Sequence, residues 1–191
     1  MPGKNLLLIF SFLFFLAQSQ SEDYVNDNVL KYDDFIYKPN IRTVIFHQSG
    51  WDFSAPLIKL NSDDQLELSF DDTDGDQKQY SVSFVYCNAD WTPSNLMTTE
   101  YLSNFFEMNI LNYSYAMATN QKYTHYTLVF PQNSNQMNTT FLKSGNYLMY
   151  VYLNGDKQNL VLTRRFMVGE DRINLSATFR QVTLPPLRVC T

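Results

Sequence analysis

The segment Tyr80-Ser81-Val82-Ser83-Phe84-Val85-Tyr86-Cys87 constrains the fold more than any other part of this sequence. Its side chains alternate: Tyr80, Val82, Phe84 and Tyr86 lie on one face, and Ser81, Ser83, Val85 and Cys87 on the other. A period of two in aromatic and β-branched residues specifies a strand with one face to bury and one more polar face. The alternation stops in Asn88-Ala89-Asp90-Trp91-Thr92-Pro93-Ser94, whose turn formers predict a loop carrying one large aromatic. A tryptophan just past a central strand is expected to turn back and cover the core.

The rest of the chain supplies partners for that strand. Ile41 to His47 reads as a first strand ending at Ser49-Gly50. A short strand at Leu57–Leu60 follows Pro56, which suits the first position of an edge strand, where no ladder donor is needed. From Gln65 to Phe70, Leu66, Leu68 and Phe70 point inward while Glu67 and Ser69 point outward. Asp74-Gly75 lies between this run and the one at Tyr80, and predicts a hairpin because Gly75 tolerates the positive φ of the turn. Thr92 to Met108 is the least strand-like region, with a helical turn expected within Ser94–Leu102. Ile110–Ala118 and Tyr123–Phe130 resume the alternation, and Gln132–Asn138 reads as a polar surface loop. Tyr147–Leu153 and Leu160–Val168, joined through Asn154-Gly155-Asp156, form a second predicted hairpin. Beyond Gly169-Glu170-Asp171, another alternating strand begins at Ile173–Val182 with little after it to pair with. About eight or nine short strands, with turns roughly every ten residues, predict an all-β, two-sheet antiparallel immunoglobulin-like sandwich. It occupies residues 41–168, and residues 169–191 are expected to be a hinge and the incomplete start of a second β domain.

Lys4, the apolar run Leu6–Ala17 and the small residues of Ala17-Gln18-Ser19 predict a cleaved export signal over residues 1–19. That run of roughly 12 residues is shorter than the ~20 a membrane-spanning helix needs. No cysteine near the cleavage site offers a lipid attachment point, and no later segment is apolar enough to span. The expectation is a soluble chain outside the cytoplasm, opening with an acidic, flexible or edge-lying N-terminal segment at 20–40. The formal net charge of −5, one unit more negative without Lys4, argues against nucleic-acid or anionic-lipid partners. All 13 tyrosines lie beyond the leader, as strands with many half-buried positions require.

Catalytic and ligand-binding patterns are missing. His47 and His125, the 2 histidines, have no cysteine or carboxylate cluster around them in sequence that would make a zinc site. They read as strand-surface or satisfied core residues. No G-x-S-x-G elbow or glycine-rich phosphate loop is present. In the acidic stretch Asp71–Asp76, placing Gly75 at the sixth position of an EF-hand loop puts Phe70 at the first, so the calcium spacing fails. A solvated hairpin tip is preferred there over a weak cation site. Cys87 is expected to be a buried free thiol rather than bridged to Cys190. No catalytic, cofactor-binding or metal residue is assigned, and no enzyme activity is expected. Arg164 and Arg165 are strand neighbours and must face opposite sides. One of them then needs a carboxylate, with Asp90 as candidate, unless both sit at exposed edges.

Several short stretches follow one another in a telling order and spacing: Phe70-Asp71-Asp72, Tyr86-Cys87-Asn88-Ala89-Asp90-Trp91, Pro93-Ser94 and Glu100-Tyr101-Leu102. They continue in Tyr123-Thr124-His125-Tyr126, Ser144-Gly145-Asn146-Tyr147 and Leu162-Thr163-Arg164-Arg165-Phe166-Met167-Val168. From about Tyr32 to Val182 the chain resembles the N-terminal domain of the plug protein family of the type IX secretion system of Bacteroidota. The ending Arg188-Val189-Cys190-Thr191 departs from that family. The resemblance implies a non-enzymatic periplasmic protein, peripheral to the outer membrane, whose partner is the translocon barrel. In such a system the plug closes the periplasmic opening of the barrel, without cofactor, nucleic acid or small-molecule substrate. A carbohydrate-binding or adhesive β-sandwich is the other reading. Exposed coplanar Tyr or Trp on one sheet would favour it, and burial of Trp51 and Trp91 would weaken it.

Overall fold

The structure is a computed structural model that describes residues 29–104, 106–132, 139–173 and 175–179. The alternating segment forms β5 (Tyr80–Cys87), which lies inside a sheet between β11 (Gly145–Leu153) and β7 (Glu107–Asn109). Tyr80, Val82 and Phe84 enter the core, as the pattern requires. The opposite face is covered as well, because Ser81 and Ser83 are both buried. Their hydroxyls are satisfied: Ser81 donates to Asn109 Oδ1 at 2.8 Å, and Ser83 shares a 3.0 Å bond with the Tyr152 hydroxyl. A small hydroxyl residue thus serves a central strand as well as an exposed one, provided it finds a partner.

The larger sheet runs β1 (Phe35–Ile36), β12 (Leu160–Gly169), β11, β5, β7, with β3 (Leu57–Lys59) also on β12. The β3–β12 pair is parallel, an exception to the expected antiparallel arrangement. Pro56 cannot donate, but its carbonyl accepts the Met167 N–H at 3.0 Å, which docks β3 alongside the end of β12. The second sheet is antiparallel, in the order β2 (Ile41–Gln48), β4 (Leu66–Asp72), β9 (Thr124–Phe130), β8 (Asn112–Tyr115). A single helical turn, α1 (Thr98–Tyr101), leads into β6 (Leu102–Asn104), which pairs with β10 (Thr139–Phe141). The strands β6, β7 and β10 were not anticipated, since 3 residues are too few for alternation to register.

The inner faces of the two sheets meet in an aromatic core. Phe130 of β9 lies 5.1 Å from Phe84 and 5.8 Å from Phe166, ring centre to ring centre, and Phe166 stacks on Tyr147 at 5.3 Å. A second group joins Phe70 and Tyr126 to Tyr80 at 5.2 and 4.8 Å. Leu66, Leu68, Met149, Val151 and Leu162 fill the space around these rings. Edge-to-face pairs of this kind add about 1 kcal/mol each beyond their buried area.

One expected hairpin does not form. Gly75 has φ +73 and turns the chain, but β4 belongs to the four-stranded sheet and β5 to the other. The Asp74-Gly75 turn is part of a crossover between sheets. Phe70 and Tyr80 therefore meet edge-on across the interface instead of as ladder neighbours. The second hairpin forms as read, with β11 and β12 paired from Gly145↔Val168 to Tyr152↔Leu160 around a register shift at Val151/Tyr152. Cys87 is a buried free thiol whose pKa is raised by burial to about 11. The strand expected at Ile173–Val182 is not present in its described part: residues 173 and 175–179 are irregular, with Ile173, Leu175 and Phe179 exposed. Among the described residues no partner strand supplies the ladder such a segment would need. Residues 1–19, Cys190 and the loop 133–138 lie outside the described residues.

Gly145 has φ +144, and a Cβ built there would stand 2.4 Å from the Tyr86 hydroxyl oxygen. That hydroxyl donates to Ser144 O at 2.9 Å. Gly145→Ala is expected to cost about 2–3 kcal/mol, from overpacking added to backbone strain. Urea unfolding measures it, and a loss below about 0.5 kcal/mol would show that the Tyr86 ring moves aside freely.

Candidate functional site

The most elaborate polar cluster lies on the crossover between the sheets. Asp72 ends β4 with its carboxylate fully buried. Its Oδ1 accepts from Asn40 Nδ2 at 2.6 Å and from the Asp74 backbone N–H at 3.0 Å. Its Oδ2 accepts from Tyr80 OH at 2.7 Å and from Lys78 Nζ at 2.8 Å. Lys78 also pairs with Asp74, and with Asp76 at 3.4 Å. The three carboxylates of Asp72, Asp74 and Asp76 thus converge on the chain's own ammonium group, in the place a cation would take. The solvated hairpin tip expected here is instead anchored at one end by a buried charge. Burial pushes the Asp72 pKa up, but the bonds from Lys78, Asp74, Tyr80 and Asn40 outweigh it and hold the carboxyl below its usual range. The density of carboxylates around Gly75, followed by Lys78, was the available signal, because a turn brings Asp72, Asp74 and Asp76 within reach of one ammonium group.

The Asn88–Thr92 loop departs from expectation twice. Trp91, with φ +65, is half-buried and stays out of the core. Its ring stacks under the Arg165 guanidinium, whose carbon lies 4.6 Å from the ring centre. Asp90 does not pair with either arginine. It is exposed and caps its own loop, accepting from the Thr92 backbone N–H at 3.1 Å and the Thr92 hydroxyl at 2.7 Å. An Asx turn of this kind satisfies the carboxylate locally, so no strand arginine is needed. Arg165 binds the N-terminal segment instead, through Asp33 at 3.2 Å and the carbonyl of Tyr32. The segment over 29–36 is therefore edge-lying, held against β12 by β1 and by this clamp.

The histidines occupy a satisfied core position and a strand surface, as read. His47 is buried with Nδ1 2.9 Å from Gln48 O, and His125 Nδ1 lies 2.7 Å from Asp71 Oδ1 on the surface of the second sheet. Two open cavities lie at opposite rims of the sandwich. One, of about 740 Å³, is lined by Gln77, Lys78, Ile110, Tyr113 and Asn154. The other, of about 570 Å³, is lined by Asp34, Ile36, Phe46, Pro56 and Arg164. Trp51 and Phe53 project from the loop that precedes Pro56, with Trp51 72% exposed. Among the described residues no helix is long and apolar enough to cross a membrane.

Comparison with known proteins places this architecture. Residues 41–170 match the family described as the type 9 secretion system plug protein, first domain, and this chain belongs to that family. It is thereby a component related to a secretion system, in a family not known for enzymes. A crystal structure of a hypothetical protein from Parabacteroides merdae is similar, at 29% identity and a TM-score of 0.67. The similarity covers 73% of this chain and 34% of that one, so the chain spans about a third of that protein's length. A Pseudomonas fluorescens alkylpurine DNA glycosylase, bound to DNA containing an abasic-site analogue, aligns over 68% of this chain and 30% of its own. At 10% identity and a TM-score of 0.30 that likeness carries no argument. No curated protein matches the chain.

Two outcomes follow from these contacts. Because the Asp72 carboxyl is held below the usual carboxylate range in the folded protein, its contribution is present at neutral pH and is lost as pH falls through and below that range. Asp72→Asn is expected to lower stability by ~3 kcal/mol at pH 7 and to flatten the acid limb of stability against pH. An unchanged acid limb would assign the loss to other carboxylates. In urea unfolding, Asp90→Ala is expected within about 0.5 kcal/mol of the parent and Arg165→Ala to lose about 1–2 kcal/mol. Faster amide exchange around Phe35 should accompany only the arginine variant.

Proposed function

We propose that this chain works by steric contact, as the first domain of a plug that closes the periplasmic opening of the type IX outer-membrane translocon barrel. The family match over residues 41–170 is the observation that carries this reading. The two sheets share one packed aromatic core, so the domain would obstruct an aqueous opening and leave it as a unit. Activity without catalysis agrees with His47, His125 and Cys87 having structural surroundings. The signal over residues 1–19 would deliver the chain to the periplasm, where it would associate peripherally with the outer membrane.

The sandwich over residues 41–168 is proposed to be immunoglobulin-like. The buried Tyr147 supports this, since its hydroxyl donates back to Lys143 O at 2.8 Å in the manner of a tyrosine corner. Residues 169–191 are proposed to lead into a second β domain. The exposure of Trp51 keeps carbohydrate binding as the second reading, although its neighbour Phe53 shares a loop with it and not a sheet.

Mild crosslinking in the native envelope, followed by affinity purification of the tagged chain and identification of what it carries, tests the proposal. Recovery of a very large outer-membrane barrel is the expected result. Recovery only with a longer version would move the contact outside residues 1–191. Failure with both would overturn the plug reading in favour of the carbohydrate one.

A further inference from the structure

We propose that the cavity around Arg164 is a binding site for a carboxylate presented by a protein partner, as an acidic side chain within an apolar segment. On β12, Leu162 and Phe166 are core residues, and the partner of Arg164 across the ladder is the core residue Met149. Alternation therefore sets Arg164 on the inner face of the sheet, opposite Val44 and Phe46 of β2. Its guanidinium opens into the cavity of about 570 Å³ at that rim.

Arg164 stands out by what it lacks. A guanidinium has five N–H donors in a planar fork. Among the described residues, the one hydrogen bond of this side chain runs from Nη1 to Thr163 O at 2.8 Å. Arg165, one position on, has Asp33, the Tyr32 carbonyl and the Trp91 ring. Asp34 shares the cavity wall but forms no ion pair with Arg164, and its Oδ1 is engaged by the Arg165 backbone N–H at 2.7 Å. Burial lowers the Arg164 pKa, and Asp34 offsets this only in part. The group keeps its charge throughout the physiological range, so a charge of opposite sign is its natural complement. A carboxylate fits the fork through two parallel N–H···O bonds.

The surroundings select the kind of anion. Asp33 and Asp34 beside the opening disfavour a multiply charged phosphate but leave room for a single negative charge. The walls are otherwise apolar, formed by Phe35, Ile36, Val44, Phe46 and Pro56, with Ile36 37% exposed. Those side chains would gain from contact with apolar neighbours of the acidic residue. The opening also lies where the edge of β12 changes hands. β1 pairs with Leu162 and Thr163, and β3 pairs from Met167 onward, which leaves the stretch from Arg164 to Phe166 between two edge strands. A cavity of this volume is far larger than a water's ~30 Å³ share and accepts a whole side chain. The inference does not depend on the plug reading.

Nuclear magnetic resonance of the purified full chain tests it, following the Arg164 Nε–H signal and, in every variant, the backbone amides of Ile36 and Phe46 during titration with acetyl-Leu-Glu-Leu-amide, the glutamine counterpart and sodium acetate. The glutamate peptide is expected to shift that signal saturably and to bind at least ~10-fold more tightly than the glutamine peptide. Arg164→Met, which keeps the aliphatic stem, should abolish the difference. Equal binding of the two peptides by the native chain, or a preference that survives in Arg164→Met, would overturn the proposal. Acetate binding as tightly as the glutamate peptide would overturn the protein partner in favour of a free carboxylate. The comparison on the native chain stands even if the variant fails to fold, and the plug reading is judged separately by recovery of the barrel.

Discussion

The contact of Phe84 and Phe166 with Phe130 across the sheet interface is the interaction on which the rest of the molecule depends. Neither sheet can hide its inner face alone, so each is stable only as the cover of the other. The arrangement makes demands elsewhere. Strands adjacent in sequence must change sheets, and the links that carry them must end their backbone ladders without stranding polar groups. The crossover from β4 to β5 shows how this is met: Asp72, Lys78, Tyr80 and Asn40 join the end of one sheet to the start of the other through bonds of 2.6–2.8 Å. A buried carboxylate with this many partners gives orientation as much as stability, because few other geometries satisfy it.

The rims follow different rules from the core. Arg165 spends its guanidinium on the N-terminal segment and on Trp91, which fastens β1 to β12. Arg164 points inward at the same rim and has a single backbone partner among the described residues. Two adjacent arginines in one strand thus divide between holding the chain together and facing a cavity. In a family described as a type 9 secretion system plug protein, unfilled hydrogen-bonding capacity at a domain rim is a feature a partner could use.

Local alternation was legible wherever a strand was long enough to express it. The sequences of β4 and β5 announced their inward residues, those of β9, β11 and β12 announced strands, and the hairpin between β11 and β12 was readable from Asn154-Gly155. Asp74-Gly75 carried the same kind of signal and yet turns between sheets. A turn sequence specifies that the chain reverses, not which strand will take up the hydrogen bonds afterwards. Asp90 is a candidate partner for a strand arginine by sequence, because a buried guanidinium needs a carboxylate, but a local Asx turn costs less order than a distant ion pair. The family was legible because short motifs follow one another in order, a property of the linear chain.

What the sequence determined by itself was therefore local and periodic: the longer strands, the apolar faces of β4 and β5, the positive-φ turn at Gly75 and the family those motifs define. Tertiary structure alone decided which strands became neighbours, that β3 joins β12 in parallel, that Ser81 and Ser83 are covered, and which arginine turns inward. The reason is physical. Alternation is encoded by steric and hydrophobic preferences within a few residues, whereas pairing and burial depend on how all the apolar faces can be covered at once.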